Sequence, residues 1–188
     1  MTVQPHYFIA VTIDEKVKQK LALWCEKVQP PFQRFVHEQD LHITLAFLGG
    51  IESLILEELK VALQGMAKQH VPFSLTIDSL GYFGQKQAPR VYWASVKKEE
   101  KLYELQKDVY QTCVDLGIKL EDRAYSPHIT LARKYIGVVP YVDDGLKEKF
   151  HSYLKSESWK VSSFVIYQTH LKKTPKYEVV ASFKLPQL

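Results

Sequence analysis

Two histidines stand in matching five-residue strings, one in each half of the chain. The first string runs from His42 to Ala46 and the second from His128 to Ala132, and both read His-Ile-Thr-Leu-Ala. Chance is a poor explanation for a five-residue identity that contains both histidine and threonine. The two segments therefore share an ancestor or a task.

The spacing within each string predicts a half-polar strand. Successive side chains of a strand point to opposite faces, so His42 and Thr44 share one face and Ile43 shares the other with Leu45. The second string repeats this arrangement. If the two halves pack about a pseudo-two-fold axis, two imidazoles and two hydroxyls converge.

Such a set of groups is suited to phosphoryl chemistry. An unperturbed histidine titrates near neutrality, so one imidazole can act as a general base while the other acts as a general acid. Threonine hydroxyls donate hydrogen bonds to the non-bridging oxygens of a phosphate and stabilise its charge. Proton transfer and orientation are then both supplied without a metal ion.

Two other interpretations remain to be weighed. A single histidine on a strand is usually structural or at the surface, but the repeated context favours function. A zinc site needs more ligands than two histidines supply. His37 and Asp40 are close to His42 in sequence, yet no partner cluster completes a site, so no metal is expected.

Composition indicates one compact unit. The chain has 188 residues, of which 46% are hydrophobic, and this is enough for one domain over residues 1–188. No apolar run approaches the roughly 20 residues of a membrane span, and the first residues do not resemble a signal peptide. Cys25 and Cys113 fall in helix-like segments, which predicts buried free thiols in a reducing cytoplasm. The net charge of +4 permits an anionic ligand without demanding one.

The periodicity predicts an α+β fold. Strands are expected over 6–13, 41–48, 73–80, 90–96, 128–133, 159–168 and 177–185, and helices over 15–28, 54–69, 100–116 and 143–155. Asp14 is a candidate N-cap of the first helix, which Pro30 and Pro31 end, and Gly117 is a candidate C-cap of the third. The order of the elements favours helices packed on largely antiparallel sheets.

The two strings, with their flanking residues, resemble a known family. LHITLAFLG at 41–49 and SPHITLAR at 126–133 are similar to the paired motifs of the 2H phosphoesterase superfamily, and PRVYW at 89–93 is similar to a middle strand of its RNA 2′,3′-cyclic phosphodiesterase group, also described as 2′-5′ RNA ligases. The resemblance implies a bilobal fold in which two pseudo-symmetric antiparallel sheets, with helices outside, enclose a central cleft.

The resemblance also implies roles for particular residues. His42 is implied as proton donor and His128 as proton acceptor, and the residues implied to contact the phosphate are Thr44, Thr130 and Arg133. A guanidinium suits that position because it pairs with phosphate in a fork, although a surface arginine at a strand end is the alternative. Phe47 is a candidate to line the base site, and core packing is equally open for it.

One segment departs from the family pattern. Tyr167 to His170 stands where a Glu-Ser type segment is common, and this leaves the contacts from that edge open. We interpret His170 as non-catalytic.

The expected activity is hydrolysis of a terminal RNA 2′,3′-cyclic phosphate to a 2′-phosphomonoester. Alternatives are 2′-5′ RNA ligation, hydrolysis of small cyclic nucleotides, and a non-catalytic module that binds RNA ends. The partners expected are RNA 3′ ends or small cyclic nucleotides, with no membrane and no cofactor. No coiled-coil or exposed helical stripe stands out, so a monomer is expected.

Overall fold

Nine strands and four α-helices are found in the computed structural model, which describes residues 4–143, 145–154 and 156–186. The strands are β1 His6–Thr12, β2 Phe32–Phe35, β3 His42–Gly50, β4 Phe73–Gln85, β5 Ala88–Val96, β6 Ile129–Tyr135, β7 Ser158–Val161, β8 Ser163–Thr169 and β9 Tyr177–Lys184. The helices are α1 Glu15–Val28, α2 Ser53–Ala67, α3 Glu100–Asp115 and α4 Leu146–Leu154, and a 3-10 turn covers Glu38–Asp40.

The strands follow one antiparallel path with two arms. The order is β7-β4-β5-β6-β3-β1-β8-β9, and β2 adds to β6 at the side. The arms meet where β3 lies beside β6, through the register pair of Ile43 with Ile129. These two isoleucines are equivalent positions of the two strings, so a local pseudo-two-fold axis passes through this pair. The α+β class is confirmed. The two sheets implied by the family resemblance are the two arms of one continuous sheet.

The helices cover the face of the sheet that carries the two isoleucines. α2 packs against β9 and α3 against β3, while α4 packs against β4 and α1 against β6. Ile43 and Ile129 are fully buried in the resulting core. Two helices are exchanged between the arms: α1 follows β1 but packs on the arm of β6, and α3 follows β5 but packs on the arm of β3.

Local sequence explains most of the element boundaries. The carboxylate of Asp14 accepts a hydrogen bond from the backbone of Lys16 at the start of α1, as predicted. Gly117 follows the end of α3 with a positive φ of 75°, a conformation that glycine adopts at little cost. The N-terminal strand and the first three helices lie within two residues of their predicted bounds.

Three features differ from the predicted elements. β2 was not predicted, because its four residues follow two prolines and are too few to show the alternation of a strand. β4 and β5 extend beyond the strands predicted over 73–80 and 90–96 and form a longer hairpin. The strand predicted over 159–168 is two strands, because the chain changes arms at Ser162: β7 pairs with β4 and β8 with β1. Of the helix predicted over 143–155, positions 144 and 155 lie outside the described residues.

A β-bulge interrupts β6 within the second string. The pairing with β5 moves from Tyr92 opposite Ala132 to Trp93 opposite Thr130, so Leu131 is the extra residue on β6. Both Leu131 and Ala132 are buried. Leu131 and Ala132 thus both face the core. Beyond them, side chains again alternate between the two faces, but shifted by one residue.

This bulge decides which side chains share the cleft face. Residues three apart on a regular strand point to opposite sides. Thr130 lies opposite Trp93 and Arg133 lies opposite Val91, and these two β5 partners are two apart. The extra residue therefore brings Arg133 onto the same face as Thr130.

The first string contains the same irregularity. Between Ile9 and Ala10 of β1 the partner on β3 moves from Ala46 to Thr44, so Leu45 is the extra residue. Phe47, which follows the bulge as Arg133 does in the other string, therefore shares a face with Thr44. Each copy of the Leu-Ala pair thus lies at a β-bulge.

Both cysteines are free and buried, which confirms the predicted state of the two thiols. Burial raises the pKa of Cys25 and of Cys113 to about 12, so each behaves as a small apolar side chain. Among the described residues, no helix has both the length and the apolar content that crossing a membrane requires.

The junction of the arms predicts a large penalty for truncating its core. Ile129→Ala should lower the free energy of unfolding by about 2–5 kcal/mol, because a fully buried side chain leaves a cavity between sheet and helices. Val61→Ala is the control, since Val61 is 76% exposed on α2 and should change stability by less than about 0.5 kcal/mol. Urea unfolding measures both, and equal midpoints would contradict the packing described for the junction.

Candidate active site

The register of the arms brings the two strings together on the cleft face. Because Ile43 pairs with Ile129 in antiparallel register, the next rung on one side joins Thr44 to His128, and the next rung on the other side joins His42 to Thr130. Side chains on these rungs point away from the isoleucines. Each histidine thus stands across from the threonine of the other string.

Both imidazoles are oriented by the same kind of hydrogen bond. Nδ1 of His42 lies 2.7 Å from the carbonyl oxygen of Asp40, and Nδ1 of His128 lies 2.8 Å from the carbonyl oxygen of Ser126. A carbonyl only accepts, so Nδ1 carries the proton in each ring and Nε2 is the free nitrogen of the neutral form. In each neutral ring, Nε2 is therefore the nitrogen that can accept a proton.

Thr44 completes the His42 site. Its Oγ1 lies 3.1 Å from Nε2 of His42. With the proton of the neutral imidazole on Nδ1, Nε2 accepts this bond and the hydroxyl donates it. Protonation of the ring reverses the direction of the bond, because Nε2 then donates and Thr44 accepts. The hydroxyl proton of Thr44 is then free to reach another acceptor.

Three aromatic rings surround His42. The ring centroids of Phe8, Tyr177 and Tyr167 lie 4.8, 5.3 and 5.9 Å from that of the imidazole. Phe8 and Tyr167 belong to a small apolar cluster on the cleft face, against which Tyr177 packs. Burial raises the pKa of Tyr167 to about 12 and also raises that of Tyr177, so both phenols remain neutral near pH 7.

Two rings lie against His128. Phe83 is edge-on at 4.8 Å and Trp93 lies at 6.2 Å, centroid to centroid. The Trp93 ring covers Gly81, its cross-strand partner on β4. A Cβ at Gly81 would stand 2.2 Å from the ring of Trp93, so glycine is required there for the indole to keep this position.

Burial dominates the electrostatics of His42. Desolvation lowers the pKa of His42 to about 4, against the opposing influence of the Asp40 carbonyl and the Asp40 carboxylate. The positive charges of His128 and Arg133 lower this pKa further. In the free protein, His42 is therefore neutral at pH 7.

His128 is shifted in the same direction. Burial lowers the pKa of His128, the bond to the Ser126 carbonyl opposes this, and the nearby guanidinium groups of Arg123 and Arg133 add to the lowering. Both histidines are therefore neutral at pH 7 when the cleft is empty of anions. A bound anion changes this balance, because a negative charge close to an imidazole favours its protonated form.

A cleft of about 600 Å³ opens beside the two rungs. Four residues singled out from the sequence line it, namely Thr44, Phe47, His128 and Arg133. His42 and Thr130 are not among its lining residues and stand on the adjoining rung. Arg90 and Arg123 also line the cleft, with Glu121 as the acidic residue among the lining side chains. The cleft is thus large enough for more than a phosphate group and is positively charged.

Phe47 is exposed rather than part of the core. Its side chain is 56% exposed and lies at the cleft, with His6 edge-on to it at 6.4 Å between centroids. Of the two interpretations open from the sequence, core packing is wrong and a cleft-lining position is observed.

The loop before β6 is tied to the other arm. Oη of Tyr125 donates to the backbone carbonyl of Thr44 at 3.2 Å, and Nε2 of Gln106 donates to that of Leu45 at 3.3 Å. Tyr125 is three residues before His128, so this bond links the segments that carry the two strings. The relative position of the strings therefore does not depend on the isoleucine pair alone.

The contacts of several site residues with the two histidines were not predicted from the sequence. The rings around the histidines come from β1, β4, β5, β8 and β9, and the carbonyl acceptors belong to Asp40 and Ser126. The position of each carbonyl acceptor, two residues before its histidine, is the local signal that the sequence contains. The contacts of the aromatic rings depend on strand pairing. Within the described ranges, no three or more His, Cys, Asp or Glu side chains are grouped to hold a metal ion. His170 binds Glu178 at 2.7 Å on the β8–β9 edge.

The sequence matches a known family over most of its length. A family model described as the 2′-5′ RNA ligase superfamily covers residues 5–173. A Geobacillus stearothermophilus protein named RNA 2′,3′-cyclic phosphodiesterase is 41% identical over 182 residues, or 96% of this chain, which spans 57% of that relative's length. A Bacillus subtilis protein of the same name is 35% identical over 189 residues and is covered to 98%, with 97% of this chain matched.

Solved structures share the fold. Escherichia coli LigT complexed with 3′-AMP has a TM-score of 0.78 at 23% identity, with 98% of this chain and 100% of that chain covered. A Thermus thermophilus protein has a TM-score of 0.77 at 27% identity, with 97% and 98% covered. These likenesses confirm the fold class predicted from the two strings.

The electrostatics of the site predict that anion binding takes up protons. In the free protein, His42 should titrate near pH 4, and inorganic sulfate should raise the pKa of His42 and of His128 because its charge stabilises each imidazolium. Two-dimensional NMR of the imidazole nitrogens measures both. The ring signals of His151, exposed on α4, serve as the control and should not respond to sulfate at fixed pH. Titration of His42 near 6.5 with or without sulfate would contradict the burial described.

Proposed function

The chain belongs to the 2′-5′ RNA ligase superfamily, and on this premise we propose that it hydrolyses 2′,3′-cyclic phosphate ends of RNA to 2′-phosphomonoesters. The resemblance noted from the two strings is confirmed by this membership. The observation that carries the proposal is the register pair of Ile43 with Ile129, which brings two oriented imidazoles and two threonines to the junction of the arms, where Thr44 and His128 line a positively charged cleft.

In the proposed reaction, water attacks phosphorus and the bond from phosphorus to O3′ breaks. Nε2 of His128 removes a proton from the water as the new P–O bond forms. Nε2–H of His42 gives a proton to O3′ as it leaves, so the product carries a 2′-phosphate and a 3′-hydroxyl. Each histidine then returns to its initial state by exchanging a proton with solvent. Both transfers are general acid–base steps of the kind that imidazole performs well near neutral pH.

One charge near the histidines favours this division of roles. The carboxylate of Asp40 acts to raise the pKa of His42, whereas Arg133 acts to lower the pKa of both histidines and Arg123 acts to lower that of His128. Burial keeps His42 neutral in the free protein, so the anionic substrate must supply the charge that lets it take up a proton. Substrate binding therefore favours protonation of both imidazoles, and the mechanism assigns the donated proton to His42, which lies beside the Asp40 carboxylate.

The phosphate contacts follow from the same face of the strands. Thr44 and Thr130 stand on the two rungs, and the bulge of β6 turns Arg133 toward them. When His42 becomes protonated, Thr44 no longer donates to it and can donate to a non-bridging oxygen of the phosphate. Arg133 supplies a fixed positive charge with the fork geometry that suits two phosphate oxygens. Phe47 offers an exposed ring for a base at the cleft.

The first test is turnover of a short RNA with a 2′,3′-cyclic phosphate end in the presence of EDTA. The wild type should produce a 2′-phosphate end, and His42→Ala and His128→Ala should each reduce turnover by at least about 10²-fold, the usual contribution of a general acid or base. His151→Ala is the matched control, because this histidine is exposed on α4. Near-wild-type turnover in either string variant would rule out the two-histidine mechanism.

A substrate with sulfur in place of the bridging O3′ distinguishes the two roles. A thiolate leaves without protonation, so the sulfur substrate should restore much of the activity of His42→Ala and little of that of His128→Ala. Cleavage rates of both variants on the oxygen and sulfur substrates give the result. If the sulfur substrate restored the activity of His128→Ala alone, His128 would be the acid and His42 the base.

A second candidate activity is 2′-5′ RNA ligation, which the description of the matched family names. Each group would keep its role, with the 5′-hydroxyl of a second RNA in the place of water. O3′ would again leave, and the product would be a 2′-5′ phosphodiester. Ligated product from cyclic-phosphate and 5′-hydroxyl ends would demonstrate it, whereas turnover of free cyclic nucleotides alone would favour the small-substrate alternative.

Binding of RNA ends with no turnover at any pH would favour the non-catalytic module. We further propose that the chain acts as a monomer, as one unit over residues 1–188, in the cytoplasm. Gel filtration against standards tests the oligomeric state.

A further inference from the structure

We propose that Asp40 is the positioning residue of His42: its backbone orients the imidazole, and its buried carboxylate holds the β8–β9 loop against the same ring. The proposal rests on the proposed function in one respect, since it takes His42 as a proton-transfer residue. Asp40 is only 4% exposed, although it carries a charge. Buried carboxylates are rare unless their oxygens are satisfied.

The carboxylate is satisfied by backbone amides from the far end of the chain. The N–H of Lys176 donates to both oxygens, at 3.0 Å to Oδ1 and 2.9 Å to Oδ2, and the N–H of Tyr177 donates to Oδ1 at 3.1 Å. Bonds from N–H groups to an ionised carboxylate are stronger than neutral ones. Asp40 therefore fixes the position at which β9 begins.

The segment that Asp40 holds also lies against His42. Tyr177 stands edge-on to the imidazole at 5.3 Å between centroids, and the carbonyl of Asp40 accepts from Nδ1 of the same ring at 2.7 Å. One residue thus contacts His42 directly through its main chain and indirectly through the loop that its side chain anchors. A displacement of the loop would expose the ring to solvent on that side.

The other string lacks this arrangement. Ser126 occupies the position equivalent to Asp40, two residues before its histidine, and its carbonyl makes the equivalent bond to His128. Its side chain carries no charge and the residue is exposed. The two strings are alike in orienting their histidines and differ in the buried negative charge, which only the His42 side possesses.

This asymmetry gives the two imidazoles different charge environments. The charged and titratable groups that face His42 are Asp40 before β3, Tyr167 on β8, Tyr177 on β9, and His128 and Arg133 from the β6 side. The two phenols are neutral at working pH and the β6 groups are positive or neutral. Asp40 is then the negative charge among them, and it favours the imidazolium that a proton donor requires.

The variant Asp40→Asn tests the proposal, because it keeps the size of the side chain and an oxygen that can accept an N–H while it removes the charge. In NMR titrations with sulfate bound, the pKa of His42 should fall by about one unit, the low end for loss of an adjacent opposite charge, and that of His128 should stay. Asp108→Asn on α3, whose carboxylate pairs with His70, is the matched control and should move neither.

Turnover gives an independent readout. A pKa lower by one unit reduces the protonated fraction of His42 about tenfold at neutral pH, so Asp40→Asn should lose about tenfold in kcat and recover part of it at lower pH. An unchanged His42 pKa, or equal shifts of both histidines, would overturn the positioning role even if turnover is normal. If the protein shows no turnover at all, the NMR result still decides about Asp40 while the proposed function fails.

The wild type alone supplies a second measurement should Asp40→Asn not fold. When His42 gains its proton, the backbone amide signals of Lys176 and Tyr177 should move with the same midpoint, because both are bound to the carboxylate beside the ring. If these amide signals do not change as His42 titrates, the loop is not coupled to the histidine and the proposal is overturned.

Discussion

The pairing of one isoleucine with its counterpart in the other arm is the constraint on which the site depends. Ile43 opposite Ile129 sets the register between β3 and β6, and the period of two along a strand then decides everything on the two neighbouring rungs. A slip of one residue would place the histidines in the core and the isoleucines in the cleft. Full burial of both isoleucines under the helices opposes such a slip.

The sequence was sufficient for what depends on local pattern. The spacing of apolar residues predicted all four helices, and the repeated string predicted which side chains of His42, Thr44, His128 and Thr130 would share a face. The family resemblance supplied Arg133, whose position three residues beyond Thr130 is compatible with a shared face only because of the bulge. The repetition of Leu-Ala in both strings was the available signal for that bulge.

What the sequence left open depends on contacts between distant segments. The rings around His42 come from β1, β8 and β9, and the loop bound by Asp40 lies more than a hundred residues away from it along the chain. Strand β2 is too short to carry a pattern of its own and exists because β6 offers an edge. The break at Ser162 marks a change of arm, which no property of residues 159–168 by themselves could indicate.

Burial has two opposed effects at the site. The apolar rings that exclude water from His42 also disfavour its charge, and the pKa near 4 is the result. In a medium of low polarity, however, each remaining charge acts over the ring more strongly than it would in water. The anionic ligand and the anchored carboxylate together counter the effect of desolvation. Under the proposed mechanism, protonation of His42 is therefore coupled to binding of the anionic substrate.

The exchange of α1 and α3 between the arms has a consequence for how the molecule holds together. Each arm is covered by a helix that follows a strand of the other arm in the chain. A single cut of the polypeptide therefore cannot release an arm with its own core complete. The halves resemble each other as copies do, yet each depends for part of its core on a helix that the strands of the other half precede.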